Sequence, residues 1–144
     1  MKIHLATDHA GFQHKEAVKD YLIEQGLEVI DHGAVSFDNR DDYPDFIAPA
    51  AQAVAMNPND VGIIFGASGQ GEAMVANRVP GVRAAVYYGG PTDILVLSRG
   101  HNNANILSIG ALFVSIQETL TAIAQWSEIP FSNDERDIRR LAKF

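Results

Sequence analysis

No cysteine occurs in the 144-residue chain, which excludes disulfides, thiolate metal sites and a cysteine nucleophile. Basic residues are scarce as well: 11 Lys and Arg stand against 18 Asp and Glu, for a formal net charge of −7. The one adjacent basic pair is Arg139-Arg140, so the chain lacks the basic footprint of a nucleic-acid binder. No apolar run reaches the length of about 18 residues that a membrane span needs. The opening MKIHLATDHAG has the pattern of a strand rather than a signal peptide. These absences lead to the expectation of a cytoplasmic protein with neither a nucleic-acid nor a membrane partner. With 47% hydrophobic residues, the chain suits a single domain over 1–144 that buries about two-thirds of its unfolded surface.

What is present is organised around Val61 to Arg83, VGIIFGASGQGEAMVANRVPGVR. Val61 and Ile63 to Phe65 have the composition of a strand buried on both faces. It breaks into Gly66-Ala67-Ser68-Gly69-Gln70-Gly71, and a helix is expected over Glu72 to Arg78, stopped by Pro80-Gly81. Glycines permit a tight turn, and the loop and first helical N–H groups then converge at the carboxyl end of the strand, where anions and ligands bind. The loop is neither a dinucleotide fingerprint nor a P-loop, since it lacks the spacing of the first and the Lys-Ser/Thr of the second. Glu72 has two readings. It can interact with the positive end of the helix, or a carboxylate above amide donors can abstract a carbon-bound proton while those donors take up the negative charge on oxygen.

Along the rest of the chain, Lys2–Thr7 is an expected strand, Phe12–Gln25 a helix stopped by Gly26, and 27–30 a second strand. A polar loop over 31–42 leads to a helix opened by Pro44, with Ile47, Ala50, Ala51 and Val54 inward. Beyond the central stretch come a strand over Val82–Tyr87, a short helix over Thr92–Arg99, a strand over Ile106–Ile109 and a helix over 115–127. Strands alternating with helices predict an α/β fold: a three-layer, doubly wound, Rossmann-like parallel sheet of about five strands, followed by an arginine-bearing C-terminal helix.

Three polar pieces adjoin strands: Asp8-His9 after the first, Ser68 to Glu72 after the third, and His101-Asn102-Asn103 before the fifth. They are expected to gather on one ligand-binding edge, which favours a small-molecule enzyme over a pure binding module. Asp8, His9 and His101 could offer three metal ligands, but their spacing matches no metal motif, and Asp with His also serves proton transfer. His4, His14 and His32 are read as structural or solvent-facing. The segment 129–144 differs in character. Its charges suit a solvated face, while Arg136 and Arg140, at i and i+4, also suit clamping a phosphate and reaching a partner subunit.

The segments TDHAG, DYPDFI, GIIFGASGQGEAMVANRVPGVRAA and SRGHNNANILSIG, in this order and over essentially the whole chain, resemble the ribose-5-phosphate isomerase B / galactose-6-phosphate isomerase (RpiB/LacAB) family. The resemblance implies metal-independent, cofactor-free aldose–ketose isomerisation of a phosphorylated sugar. It also implies a homodimer, possibly a tetramer, with active sites shared between subunits. Many members use a cysteine as base; without one, this chain resembles the branch in which a glutamate, here Glu72, removes the proton. By the same resemblance Ser68 and the amides of Gly69 to Gly71 stabilise a cis-enediolate, His101 opens the sugar ring and Asp8 handles the hydroxyls. Tyr43, Gly66, Gln70 and Asn102 line the sugar, while His9, Arg136 and Arg140 hold the phosphate.

One position departs from that pattern. The glutamate branch carries an arginine two residues beyond the glycine that ends the fifth strand, and this chain has Leu112. Arg83 or Arg99 is a candidate to compensate. D-Ribose 5-phosphate is the expected substrate, with a tetrose or hexose phosphate such as galactose 6-phosphate, or sugar-phosphate binding without turnover, as alternatives.

Overall fold

Strands that are apolar at successive positions need cover on both faces, and the intervening helices supply it. In the computed structural model, which describes residues 1–144, the strands are β1 (Lys2–Thr7), β2 (Glu28–Asp31), β3 (Val61–Gly66), β4 (Ala84–Tyr87) and β5 (Ile106–Gly110). They form one sheet in the order β2-β1-β3-β5-β4, and every neighbouring pair is parallel. The helices are α1 (Phe12–Glu24), α2 (Pro44–Met56), α3 (Gln70–Ala76), α4 (Asp93–Gly100), α5 (Ile116–Glu128) and α6 (Glu135–Leu141), with a 3-10 turn at His9–Gly11. No helix is long and apolar enough to cross a membrane.

Alternation along the strands divides the core in two. Ile63, Phe65, Leu107 and Ile109 face Val18 and Leu22 of α1, Leu95 of α4, and Ala122, Ile123 and Trp126 of α5. Ile64 and Ile106 face Ile47, Ala50, Ala51 and Val54 of α2 and Ala76 of α3. This is the expected three-layer, doubly wound arrangement. After β1 the chain moves outward to β2, then crosses back to β3 on the far side of β1. The connections leaving the carboxyl ends of β1 and β3 therefore diverge, opening the crevice in which such sheets bind ligands.

Some boundaries differ from the sequence reading. α3 starts at Gln70, which places Glu72 in its first turn. β4 starts at Ala84 rather than Val82. The Pro80-Gly81 turn runs on, with the Val82 N–H donating to the Val79 carbonyl at 3.1 Å, and the Asn77 side chain bonds both the N–H and the carbonyl of Ala84 at 2.8 and 3.0 Å. Lys15 is fully buried inside α1, where its Nζ donates to both oxygens of Asp31 at 2.7 Å and to the Ala34 carbonyl at 2.8 Å. His4 and His32 are bonded to each other at 2.8 Å, and His14 Nε2 donates to the Val114 carbonyl at 2.9 Å.

Arg83 and Arg99 do not lie beside Leu112 of their own chain. Arg83 donates to the carbonyls of Asn103 and Gly81, and Arg99 donates to that of Ala104 while lying 4.8 Å above the Trp126 ring. Both guanidinium groups hold the segment leading into β5, at the opposite end of the strand from Leu112.

Candidate active site

The turn after β3 is fixed from below. Gly69 has φ +75°, its carbonyl accepts the Ser108 Oγ–H at 2.7 Å, and the Gln70 N–H donates to Ser68 Oγ at 3.3 Å. Glu72 folds back from the first turn of α3 and is only 5% exposed. Its carboxyl group lies directly over Gly66, where a β-carbon would collide with it. Burial pushes the Glu72 pKa up, its own N–H partly opposes this, and the nearby Asp8 charge adds to the rise. The Tyr43 hydroxyl lies against Gly71, 2.7 Å from where a β-carbon would stand. Leu112, in the turn after β5, donates its N–H to the Ala67 carbonyl at 3.1 Å and leaves its side chain 73% exposed beside the same turn.

β1 delivers Asp8 and His9 to the same edge. Asp8 is buried and caps the 3-10 turn, its Oδ1 accepting the Ala10 N–H at 2.9 Å. His9 meets a residue that sequence reading passed over. Asp41, from the loop before α2, accepts the His9 main-chain N–H at 3.0 Å and lies 2.6 Å from His9 Nδ1 through the same oxygen. The only signal for it was the run of acids in a loop over the carboxyl edge, immediately before Tyr43. Ligand atoms of Asp8, His9 and Asp41 all lie within 4.8 Å of one another. The 2.6 Å contact is a short, charge-assisted hydrogen bond, and the same three groups are close enough to one another to take a metal ion.

His101 and Asn102 do not join this edge, and the expectation that all three polar pieces gather together is corrected. In a parallel sheet, segments following strands lie at the carboxyl edge and a segment preceding a strand lies at the amino edge. The register pairs Gly62 with Ile106 and Gly66 with Gly110, so the two edges are at least about 13 Å apart at 3.3 Å per residue. At the amino edge His101 and Asn102 share a cleft of about 300 Å³ with Asp137, Arg140, Leu141 and Phe144. Asp137 is buried beneath the arginines: Arg136 Nε lies 3.4 Å and Arg140 Nη1 3.8 Å from its Oδ1, while Ser132 Oγ donates to Oδ2 at 3.1 Å. Arg136 and Arg140 otherwise extend into solvent. The residues singled out in the sequence thus fall into two separate groups on the chain. One holds Asp8, His9, Tyr43, Gly66 and Ser68 to Glu72; the other holds His101, Asn102, Arg136 and Arg140.

Comparison with known proteins matches residues 3–144 to the family described as Ribose/Galactose Isomerase. The chain belongs to that family. The ribose-5-phosphate isomerase B of Mycobacterium tuberculosis is 38% identical over 141 residues, covering 98% of this chain and 86% of the relative. Among solved structures, ribose-5-phosphate isomerase B from Mycoplasma genitalium with bound ribulose-5-phosphate superposes with a TM-score of 0.93 at 34% identity, covering 99% of this chain and 92% of that one. The Clostridium thermocellum ribose-5-phosphate isomerase B gives a TM-score of 0.92 at 37% identity, with coverages of 99% and 94%. Within this ribose/galactose isomerase family, the sugar-phosphate reading of the sequence and the buried carboxylate at the switch point coincide.

Proposed function

We propose that the chain interconverts D-ribose 5-phosphate and D-ribulose 5-phosphate, with Glu72 as the base. The observation that carries this reading is the buried Glu72 carboxyl group over Gly66, beside the amide-lined turn at the sheet's switch point. As a carboxylate, Glu72 takes the proton from C2 of the open-chain aldose. The electrons of that C–H bond form the C1–C2 double bond, and those of the carbonyl π bond pass to O1. Ser68 Oγ and the N–H groups of Gly69, Gln70 and Gly71 hold the resulting oxyanion. Glu72 then returns the proton to C1 as the proton of O2 passes to O1, which leaves a hydroxyl on C1 and the ketose carbonyl at C2. A base whose pKa is raised by burial is better matched to a weakly acidic C–H than an ordinary glutamate.

Asp8 exchanges protons with the sugar hydroxyls, and Tyr43 and Asn102 line the sugar. His101 opens the ring, and His9, Arg136 and Arg140 hold the phosphate. These groups occupy opposite edges of one chain, so the reading needs the carboxyl-edge half of one copy to face the amino-edge half of a second. A homodimer with two shared sites satisfies this requirement by symmetry, and a tetramer built of such dimers does so equally. The chemistry calls for no metal or cofactor.

Leu112 favours a second reading of the substrate. An apolar side chain beside the Ser68 turn leaves the phosphate to the tail arginines and His9, which suits a tetrose or hexose phosphate if the phosphate sits differently. A coupled assay over phosphorylated aldoses of four to six carbons, compared by kcat/KM, separates the possibilities. Ribose 5-phosphate is expected to rank first. Turnover of none of them, with ribose 5-phosphate still bound, leaves a binding protein without catalysis.

A further inference from the structure

Asp41 stands against His9, in the loop that leads into Tyr43. Its side chain is 11% exposed, and its Oδ1 is the shared acceptor for two donors of His9, the main-chain N–H at 3.0 Å and ring Nδ1 at 2.6 Å. Its second oxygen, Oδ2, is buried without a partner. Two contacts from one oxygen fix both the backbone and the ring of His9, leaving the imidazole a single orientation. A carboxylate only accepts, so the proton in the contact belongs to Nδ1 and the unclaimed ring nitrogen is Nε2. The ring remains 34% exposed, with Phe37 edge-on at 6.3 Å between centroids. Asp8 cannot replace Asp41 in this role, since its Oδ1 caps Ala10 and its Oδ2 is 3.9 Å from Nδ1.

We infer that Asp41 is a positioning residue for substrate binding: it holds His9 with Nδ1 protonated and turned inward, so that Nε2 is presented to the phosphate of the sugar. This rests on the phosphate role given to His9 above. The consequence is that His9 binds as a cation in a chain with a net charge of −7, where a dianionic ligand needs fixed positive charge. The groups whose charge acts on His9 are Asp41 and Asp38 from the loop before α2 and Asp8 from the end of β1, and together they favour the imidazolium. Asp41 contributes most, through the hydrogen bond, against the opposing effect of burial. The loop carrying Asp41 also carries Tyr43, so one segment both lines the sugar and orients the anion contact.

The test is Asp41→Asn with Asp41→Glu as the conservative control, read by NMR titration of the His9 ring and by KM and kcat between pH 6 and 8. In the wild type His9 should titrate above its ordinary value of 6.5, with Nδ1 carrying the proton in the neutral form. In Asp41→Asn the titration should move down, and KM for ribose 5-phosphate should rise about tenfold at pH 8 but only about twofold at pH 6, where the ring is protonated anyway. The fall in kcat should be the smaller effect, and Asp41→Glu should restore much of the KM. Inorganic phosphate, titrated by NMR, should lose affinity in parallel. A wild-type His9 titrating at or below 6.5, or an Asp41→Asn protein with the same His9 titration and a pH-independent KM, overturns the inference. The ring titration needs no turnover, so a failed isomerase assignment and a failed Asp41 assignment give different results.

Discussion

The carboxyl group of Glu72 fills the space above Gly66 that any larger residue at position 66 would claim. The end of β3 and the first turn of α3 are therefore matched: the strand must end in a residue without a side chain for the base to reach its place. Glu72→Gln should keep the fold and bind ligand while kcat falls by about 10²–10⁴-fold, because the amide cannot accept a carbon-bound proton. Gly66→Ala should lose comparable activity by displacing the carboxyl group. Steady-state kinetics with circular dichroism as the fold check decides both; Glu72→Gln turning over at the wild-type rate removes Glu72 as the base.

The pH profile should carry the mark of that burial. Burial first, and then the Asp8 charge, raises the Glu72 pKa, with its own N–H opposing. The carboxylate is the active form, so activity falls as pH drops through this raised value. The acid limb of kcat/KM should then lie above the ordinary glutamate value of 4.5, and Asp8→Asn should move the limb downward. A limb at or below 4.5 in the wild type contradicts the burial argument.

Lys15 should prove a structural residue despite its charge. Removing it takes from the half-buried Asp31 its shortest contacts and leaves only Lys19 and the Gly33 N–H, and losing hydrogen bonds to a charged group of this kind costs about 1.5–3 kcal/mol. Lys15→Met is therefore expected to lower the urea midpoint strongly. For Asp31, burial works to raise the pKa, but the bonds from Lys15, the Gly33 N–H and Lys19 outweigh it and leave it below 3.8. A carboxyl group depressed in the folded state contributes stability above its unfolded pKa and loses it as pH falls through the folded value. Wild-type stability should thus decline below about pH 4, and the decline should be shallower in Lys15→Met. Equal slopes would remove Asp31 as the source.

Chelation supplies another check. Charge on the intermediate is assigned to Ser68 and main-chain N–H groups, so turnover should survive exhaustive EDTA treatment and dialysis. Loss of activity restored by one divalent ion would turn Asp8, His9 and Asp41 into a ligand set.

The sequence disclosed the layered fold because its strands and helices alternate with clear periods, and it disclosed Ser68 to Glu72 because glycines cluster only where the backbone must turn tightly. It did not disclose Lys15, since a lysine on an amphipathic helix has the pattern of a solvent-facing residue until Asp31 is placed opposite. Nor did it disclose Asp41, whose partner His9 is distant in the chain and whose loop has no period. The placement of His101 and Asn102 was legible but misread: in a parallel sheet, a segment before β5 and one after β3 belong to opposite edges. That polarity makes the position of the tail arginines intelligible, with Asp137 beneath them aiming both guanidinium groups outward on the edge that carries His101.

Subunit complementation tests the shared site most directly. Glu72→Gln chains are mixed in equal amounts with Arg136→Ala/Arg140→Ala chains under conditions that allow exchange, and mass spectrometry verifies the heterodimers. If each site takes Glu72 from one chain and the arginines from the other, every heterodimer has one intact site, and full exchange should restore about a quarter of wild-type activity. Verified heterodimers with no activity above that of either parent would contradict the shared site, since no heterodimer then contains an intact one.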